Sequence, residues 1–274
     1  MQLLHGVQFL DGVIFMKGIF MDLGLSGRAA VVTGASRGIG LAIVRALTAE
    51  GVRVTGAART VTPELKETGA LVVEADLTTD EGATLLVERA VAELGDVDVL
   101  VNNVGGGDTF AVGGFLSADD AMWRNAFDRN FFSAVRVTRA AMPSLLRRRG
   151  TVINISSVVA RAPGAGTVDY SVPKAALTAL GKALDEEFGP RGVRTTTVSP
   201  GPVRTAFWDA LATAYGTDAA VLLTGIPASA GMTTGRVIEP EEVADLVAFL
   251  ASDRARSVAG SDHLLDGGAL KVAS

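Results

Sequence analysis

The chain has 274 residues, 48% hydrophobic and 20% charged, a globular profile long enough to bury one sizeable α/β core. A formal net charge of −5, with no compensating basic cluster, argues against a nucleic-acid surface. Zero cysteines exclude disulfides and thiolate chemistry and suit a cytoplasmic address.

Residues 1–21 are apolar, but Asp11 and Lys17 interrupt them, and no run reaches the ~18 residues of a membrane-spanning helix. A signal peptide would want a basic start, and His5 is the only ionisable side chain before Asp11. Two readings of this extension stand. Met21 is the natural start and the preceding residues come from an upstream start codon, or the Asp11-Gly12 pair between β-formers makes a hairpin arm that covers apolar surface. Residues 22–274 read as a single domain, with no linker, repeat or low-complexity tract to divide them.

Residues 29–33, A-A-V-V-T, suit a buried strand, and Gly34-Ala35-Ser36-Arg37-Gly38-Ile39-Gly40 follows before a helical pattern over 38–50. Glycines at a strand-to-helix turn let backbone approach a pyrophosphate, and the helix start offers unpaired N–H groups. The spacing T-G-x-x-x-G-x-G is not the general G-x-G-x-x-G. Further strands are expected at 52–57, 70–74, 97–102, 151–156, 193–198 and 262–265, and helices at 81–94, 120–149, 168–188 and 240–251. Arg147-Arg148-Arg149 closes one of these helices, where cations complement the dipole on a solvated face. The alternation predicts a Rossmann-type, doubly wound parallel sheet of about seven strands with helices on both faces. Ligands of such sheets bind outside the strands' carboxyl ends. The glycine turn, Asn102-Asn103, Ser156-Ser157 and Ser199-Pro200-Gly201 all fall there and should converge on one crevice.

Tyr170 and Lys174 are one helical turn apart in Y-S-V-P-K, so the ammonium can sit beneath the ring. A phenol becomes a usable proton donor when its pKa falls from roughly 10 toward neutrality, and a nearby positive charge has that effect. Ser157 lies thirteen residues upstream of Tyr170. Ser156 is its rival, but strand alternation puts the two serines on opposite faces.

This set resembles the short-chain dehydrogenase/reductase family. Thr33 to Gly40 looks like its cofactor turn, and Asp76-Leu77 sits where the family places an Asp against adenine. Asn102-Asn103-Val104-Gly105 is similar to its N-N-A-G segment, with Val104 for the usual alanine. Asn130, seven residues after Trp123, matches its helix asparagine. Pro200-Gly201-Pro202-Val203-Arg204-Thr205 and Asp266-Gly267-Gly268 match its later signatures, so the resemblance spans about residues 22–270. It implies hydride transfer between a nicotinamide and a carbonyl carbon. Tyr170 is then the general acid/base, Ser157 the partner of the substrate oxygen, Lys174 the holder of the nicotinamide ribose, and Asn130 the residue that positions a water relay. The implied cofactor contacts are Gly34, Ser36, Arg37, Gly38, Ile39, Gly40, Arg59, Asp76, Leu77, Asn103, Gly105, Tyr170, Lys174, Pro200, Gly201, Val203 and Thr205.

Charge decides the cofactor. The stretch after the second strand, Val54 to Thr60, carries no acid for a ribose 2′-OH, while Arg59 and Arg37 suit a 2′-phosphate, so NADP(H) is expected over NAD(H). Residues 205–237 are expected to form a substrate lid, with Phe207, Trp208, Leu211 and Tyr215 against a mainly apolar ligand and hinges in the small-residue stretch Gly225–Gly235. Gly105-Gly106-Gly107 and Ala162-Pro163-Gly164 line the opposite side. The substrate class this suggests is a ketone or secondary alcohol, such as a 3-oxoacyl group or cyclic ketone.

Two features depart from the family. Pro173 fits a helix only in its first turn, and Arg129 takes a place that is usually apolar. The only histidines, His5 and His263, are far apart, which speaks against a metal centre, and His263 reads as a packed or interface residue. A non-catalytic sensor of cofactor or ligand and a dehydratase or epimerase of the same fold are the alternatives. By family analogy the chain forms a homo-oligomer, a tetramer or dimer, through helices 81–94 and 120–149 and the C-terminal strand; no membrane or nucleic-acid partner is expected.

Overall fold

The computed structural model describes residues 21–106, 114–164 and 167–271, together with two N-terminal strands. Those strands, β1 (Val7–Leu10) and β2 (Val13–Met16), pair antiparallel with Leu10 opposite Val13. They flank the Asp11-Gly12 pair, which lies outside the described residues.

The main sheet is built from β3 (Ala29–Thr33), β4 (Arg53–Ala58), β5 (Leu71–Glu74), β6 (Val99–Asn102), β7 (Thr151–Ile155), β8 (Arg194–Pro200) and β9 (Asp262–Leu265). All its pairs are parallel, in the order β5-β4-β3-β6-β7-β8-β9. Strand order reverses between β3 and β6, which opens a crevice at their carboxyl ends. The apolar runs of these strands follow from burial on both faces. In β3, Ala30 and Val32 pack into one core layer and Val31 into the other.

Helices α1 (Gly38–Ala49) and α9 (Pro240–Ala251) cover the first face, where Ile43, Leu47 and Leu250 are fully buried. Each such side chain contributes about 1.5–3 kcal/mol of burial. On the second face lie α3 (Asp80–Leu94), α5 (Ser133–Arg148) and α6 (Val168–Phe188). A one-turn α2 (Pro63–Lys66), capped by Thr62, joins β4 to β5 and was not expected from periodicity. Arg147 and Arg148 at the end of α5 pair with Asp96 and Asp98 at 2.6 and 2.8 Å, so this basic run is anchored as well as solvated.

Three segments differ from expectation. The helix predicted over 120–149 is α4 (Asp120–Phe127), a π turn at Asp128–Phe132, and then α5. The cause lies in Asn130, whose Nδ2 donates to Ala126 O at 3.0 Å and so competes for the carbonyl its own backbone would use. Within 205–237, α7 (Phe207–Tyr215) is followed by α8 (Ala219–Ser229), capped by Asp218, whose last turn takes in the start of the Gly225–Gly235 stretch expected to hinge. Gly225 is therefore helical. Pro173 lies beyond the first turn of α6, so the Asp169 carbonyl loses its helical donor. Thr167 and Ser171 reinforce the start of α6 instead, through Ser171 Oγ to Thr167 O at 2.8 Å.

Candidate active site

The β3–α1 turn is fixed by its neighbours on β6. Asn103 N and Val104 N donate to Thr33 Oγ1 at 2.9 and 3.1 Å, while Asn103 Nδ2 donates to Thr33 O and Gly34 O at 3.0 and 3.1 Å. Thr33 thereby ties the two strands together at the reversal, a role the apolar reading of its strand missed. Gly34 and Gly38 have φ of 65° and 55°, conformations that favour glycine. A Cβ on Gly40 would overlap Gly34 O and stand 2.5 Å from Asn103 Nδ2. Arg37, at the N-cap of α1, makes no side-chain capping bond, so the amides of the first turn face the crevice as an anion site. Ser36 O accepts from Thr62 Oγ1 at 2.9 Å, and Ile39 packs on the core behind the turn. This cradle fits a dinucleotide pyrophosphate.

Arg37 and Arg59 are both exposed beside the turn. Asp76 follows β5, and its Oδ1 accepts from Thr78 N and Oγ1 at 3.0 and 2.8 Å. Those bonds hold its carboxyl below the usual range, with smaller contributions from Arg59 and Arg129. Leu77 is buried beneath it. Across the crevice, Gly201 N donates to Leu265 O at 2.9 Å, Val203 bridges to Ile238, and Thr205 places its methyl over Gly38. A cavity of about 540 Å³ lies between the turn and the segment holding α7 and α8, lined by Gly38, Arg204, Thr205, Asp209, Asp218 and Leu223.

The four side chains expected to carry the chemistry meet deeper in the crevice. Ser157 starts a short turn after β7 and shares a hydrogen bond with the Tyr170 hydroxyl. Lys174 is 2% exposed; its Nζ donates to Ile155 O at 2.8 Å and lies 5.8 Å from the Tyr170 ring centroid. Asn130, also 2% exposed, accepts from Gly106 N at 2.9 Å. Gly105 separates Lys174 from Asn130, since a Cβ there would lie 2.7 Å from Lys174 Nζ and 2.9 Å from Asn130 Oδ1. Ser156 points the other way, donating to Lys174 O at 3.0 Å and meeting Thr178 Oγ1 at 2.7 Å. Pro200, at the end of β8, completes this wall.

The electrostatics correct one expectation. Burial pushes the Tyr170 phenol up to about 12, and the Ser157 bond opposes it only in part. Burial also depresses Lys174 to about 8. Burial sets the direction of the Tyr170 shift, and the Lys174 ammonium beneath the ring does not bring the phenol toward neutrality.

Phe207 and Trp208, at the start of the 205–237 segment, pack locally. Trp208 Nε1 donates to Val203 O at 2.7 Å, and Phe207 packs edge-on against it with centroids 5.1 Å apart. Ala162, Pro163 and Gly164 are exposed at the rim, whereas Gly107 lies outside the described residues. His263 Nε2 meets Ser261 Oγ at 2.8 Å. Among the described residues no helix is long and apolar enough to cross a membrane, and no group of three His, Asp or Glu is placed to hold a metal.

Known proteins are similar to this chain in sequence and fold. The family model described as enoyl-(acyl carrier protein) reductase matches residues 34–269. The 3-oxoacyl-(acyl-carrier-protein) reductase of Escherichia coli is 33% identical over 263 residues, covering 91% of this chain and all of that protein. The L-sorbose reductase of Gluconobacter frateurii, solved with NADPH and L-sorbose, is 34% identical with a TM-score of 0.85, over 92% of this chain and all of that one. A short-chain dehydrogenase/reductase of Serratia marcescens is 30% identical with a TM-score of 0.78, over 89% of this chain and 98% of that one. The seven-stranded parallel sheet, the glycine turn at its reversal and these matches together show that the chain belongs to the short-chain dehydrogenase/reductase family of nicotinamide-dependent oxidoreductases.

Proposed function

We propose that the protein is an NADP(H)-dependent reductase of ketones, interconverting a ketone and its secondary alcohol, with Tyr170 as the general acid/base. The observation that carries this reading is the hydrogen bond between Ser157 and Tyr170, with the Lys174 ammonium below the ring. When bound, the nicotinamide supplies or accepts the hydride at the substrate carbon. Tyr170 gives its hydroxyl proton to the substrate oxygen in reduction and takes it back in oxidation. Ser157 hydrogen-bonds that oxygen and orients it. Near pH 7 the Tyr170 phenol is neutral and carries the proton that reduction delivers to the substrate oxygen. Lys174 holds the nicotinamide ribose, and Asn130, fixed to Gly106, carries the relay behind it.

NADP(H) is preferred because Arg37 and Arg59 stand exposed where an acid would otherwise bind the ribose. Gly34, Gly38, Gly40, Asn103 and Thr205 form the pyrophosphate cradle. The two relatives named for a 3-oxoacyl group and for L-sorbose both have ketone substrates, and a ketone is the substrate class proposed for this chain. Residues 205–237 act as its lid, and the working form is a homo-oligomer.

The test is NADPH oxidation with 3-oxoacyl thioesters, keto sugars and cyclic ketones, with NADH and Tyr170→Phe run in parallel. The expected result is NADPH-dependent turnover that Tyr170→Phe abolishes. Equal efficiency with both cofactors would overturn the preference. Tight NADPH binding without turnover on any ketone would overturn the reductase reading in favour of a sensor.

A further inference from the structure

The short turn that begins at Ser157 is held at both ends. Its near end continues β7, where Ser156 N donates to Val198 O at 2.7 Å. Within it, Ala160 N donates to Ser157 O at 3.0 Å, and Arg161 N and Ala162 N both donate to Val158 O at 3.0 Å. These bonds make Ser157 to Ala162 one stiff unit. At the far end the Arg161 side chain crosses the carboxyl edge of the sheet to β9. Its Nε donates to Asp262 Oδ2 at 2.8 Å and its Nη2 to Asp262 O at 2.9 Å. Asp262 Oδ1 in turn accepts from Ser199 Oγ at 2.6 Å, which brings in β8. The Asp262 side chain is 10% exposed and Ser199 is fully buried, so water and salt screen this pair weakly. Asp262 pairs in register with Thr197, whose Oγ1 stands against Gly181 of α6. The clamp therefore lies on the face of the sheet covered by α6, the helix that carries Tyr170.

The turn's own cap is weak, because Val159 N reaches Ser157 Oγ only at 3.4 Å. A weak cap leaves the hydroxyl free for other partners but does not fix where it stands. We propose that Arg161 is a positioning residue: its clamp on Asp262 and Ser199 acts through the turn to set the distance between the Ser157 and Tyr170 hydroxyls. The inference rests on the roles given above to Ser157 and Tyr170. Without the clamp, Val158 to Ala162 can swing, Ser157 draws away from Tyr170, and the substrate oxygen loses one of its partners. The glycine turn after β3 is tied to Asn103 instead, so dinucleotide binding is independent of Arg161.

The experiment compares the full chain as wild type, Arg161→Met, Arg161→Lys, Ser157→Ala and the double variant Arg161→Met/Ser157→Ala. Ketone reduction gives kcat, and bound-nicotinamide fluorescence gives the NADPH dissociation constant. Labelling with 3-fluorotyrosine adds a readout free of substrate and cofactor, since Tyr170 and Tyr215 are the only tyrosines; Tyr170→Phe assigns their fluorine signals. Arg161→Met should lower kcat about tenfold to a hundredfold and leave NADPH affinity within about twofold of wild type. Its Tyr170 signal should move in the direction that Ser157→Ala moves it. In the Ser157→Ala background, adding Arg161→Met should change neither kcat nor that signal, because the path then has no terminus. A merely structural role would keep its full effect there. Arg161→Lys keeps the charge but loses one of the two bonds, so it should show smaller effects in the same direction, and it takes the place of Arg161→Met if that variant does not fold. Losses that multiply in the double variant, wild-type kcat in Arg161→Met, or an unmoved Tyr170 signal in that variant would each overturn the inference. Wild type that reduces no ketone would overturn the roles of Ser157 and Tyr170, while the fluorine series still decides whether Arg161 sets their distance.

Discussion

Replacing Gly105 with alanine puts a methyl group 2.7 Å from Lys174 Nζ, 3.3 Å from Lys174 Cε and 2.9 Å from Asn130 Oδ1. Real side-chain carbons do not approach so closely, so one neighbour must move. If the ammonium moves, it gives up the Ile155 carbonyl that it meets at 2.8 Å, a charged buried bond of about 1.5–3 kcal/mol. If the carboxamide moves, it loses Gly106 N at 2.9 Å, a neutral bond of about 1 kcal/mol. Overpacking adds to either, and the stability loss should be about 1–3 kcal/mol. Activity should suffer more. A displacement of about 1 Å in a positioning group can cost roughly a hundredfold in rate, or about 2.7 kcal/mol of barrier. The assay pairs urea denaturation with kcat for NADPH-dependent ketone reduction. Gly225→Ala is the control, because its Cβ meets nothing within 4 Å and its helical place predicts a gain of about 0.4–1 kcal/mol. Gly105→Ala within about twofold of wild type in kcat would refute the claim that Lys174 and Asn130 must hold these positions.

Two further changes test the same crevice. Gly40→Ala should cost about 3 kcal/mol or more and abolish tight NADPH binding, because its Cβ overlaps the Gly34 carbonyl and backbone cannot swing aside; a denaturation midpoint near wild type would sink this. Burial depresses Lys174 in the folded chain to about 8 from 10.5. Between those values the unfolded chain binds more protons, so this group's contribution rises with pH and is lost again as pH falls through 8. Relative to Lys174→Met, wild type should gain about 2–3 kcal/mol between pH 8 and pH 10, measured by denaturation across that window. Above pH 10 the raised Tyr170 acts in the opposite sense, since the folded chain then holds the extra proton. A flat difference from pH 8 to pH 10 would show that Lys174 is not held charged in a desolvated place.

The sheet was legible because its strands are apolar on both faces and glycine-bounded; β3 matches its predicted span residue for residue. The site was legible for a topological reason. Once the strands alternate with helices, Asn103, Ser157 and Gly201 have to lie at carboxyl ends, and carboxyl ends converge. What stayed hidden depends on competition between groups distant in sequence. The π turn arises from one side-chain amide taking one carbonyl, which no hydrophobic period encodes. The end of α8 falls in the small-residue stretch Gly225–Gly235, whose glycines, alanines and serine show no helical polar alternation. For Tyr170 the sequence supplied the charge beneath the ring but not the depth of burial, and burial reverses the direction of the shift.

The same bonds suggest a division of labour. The cofactor end of the crevice is cross-tied by Thr33 and Asn103 through four hydrogen bonds of 2.9–3.1 Å. The segment proposed as the lid, residues 205–237, is anchored chiefly toward its two ends. Arg204 N donates to Ile238 O at 2.8 Å, Ile238 N to Pro202 O at 3.0 Å, and Arg204 Nε meets Glu239 at 2.9 Å. Lys271 Nζ adds a bond to Gly231 O at 2.7 Å. Between these ends α7 and α8 lie over the cavity beside Gly38, held there in part by Trp208. If α7 and α8 are the proposed lid, a crevice cross-tied at its cofactor end can bind dinucleotide without rearrangement while the lid adjusts to the substrate. Substitutions in α7 and α8 should accordingly change which ketone is reduced while leaving the dissociation constant for NADPH near its wild-type value. A lid substitution that weakened NADPH as strongly as Gly40→Ala would show instead that the two ends act as one unit.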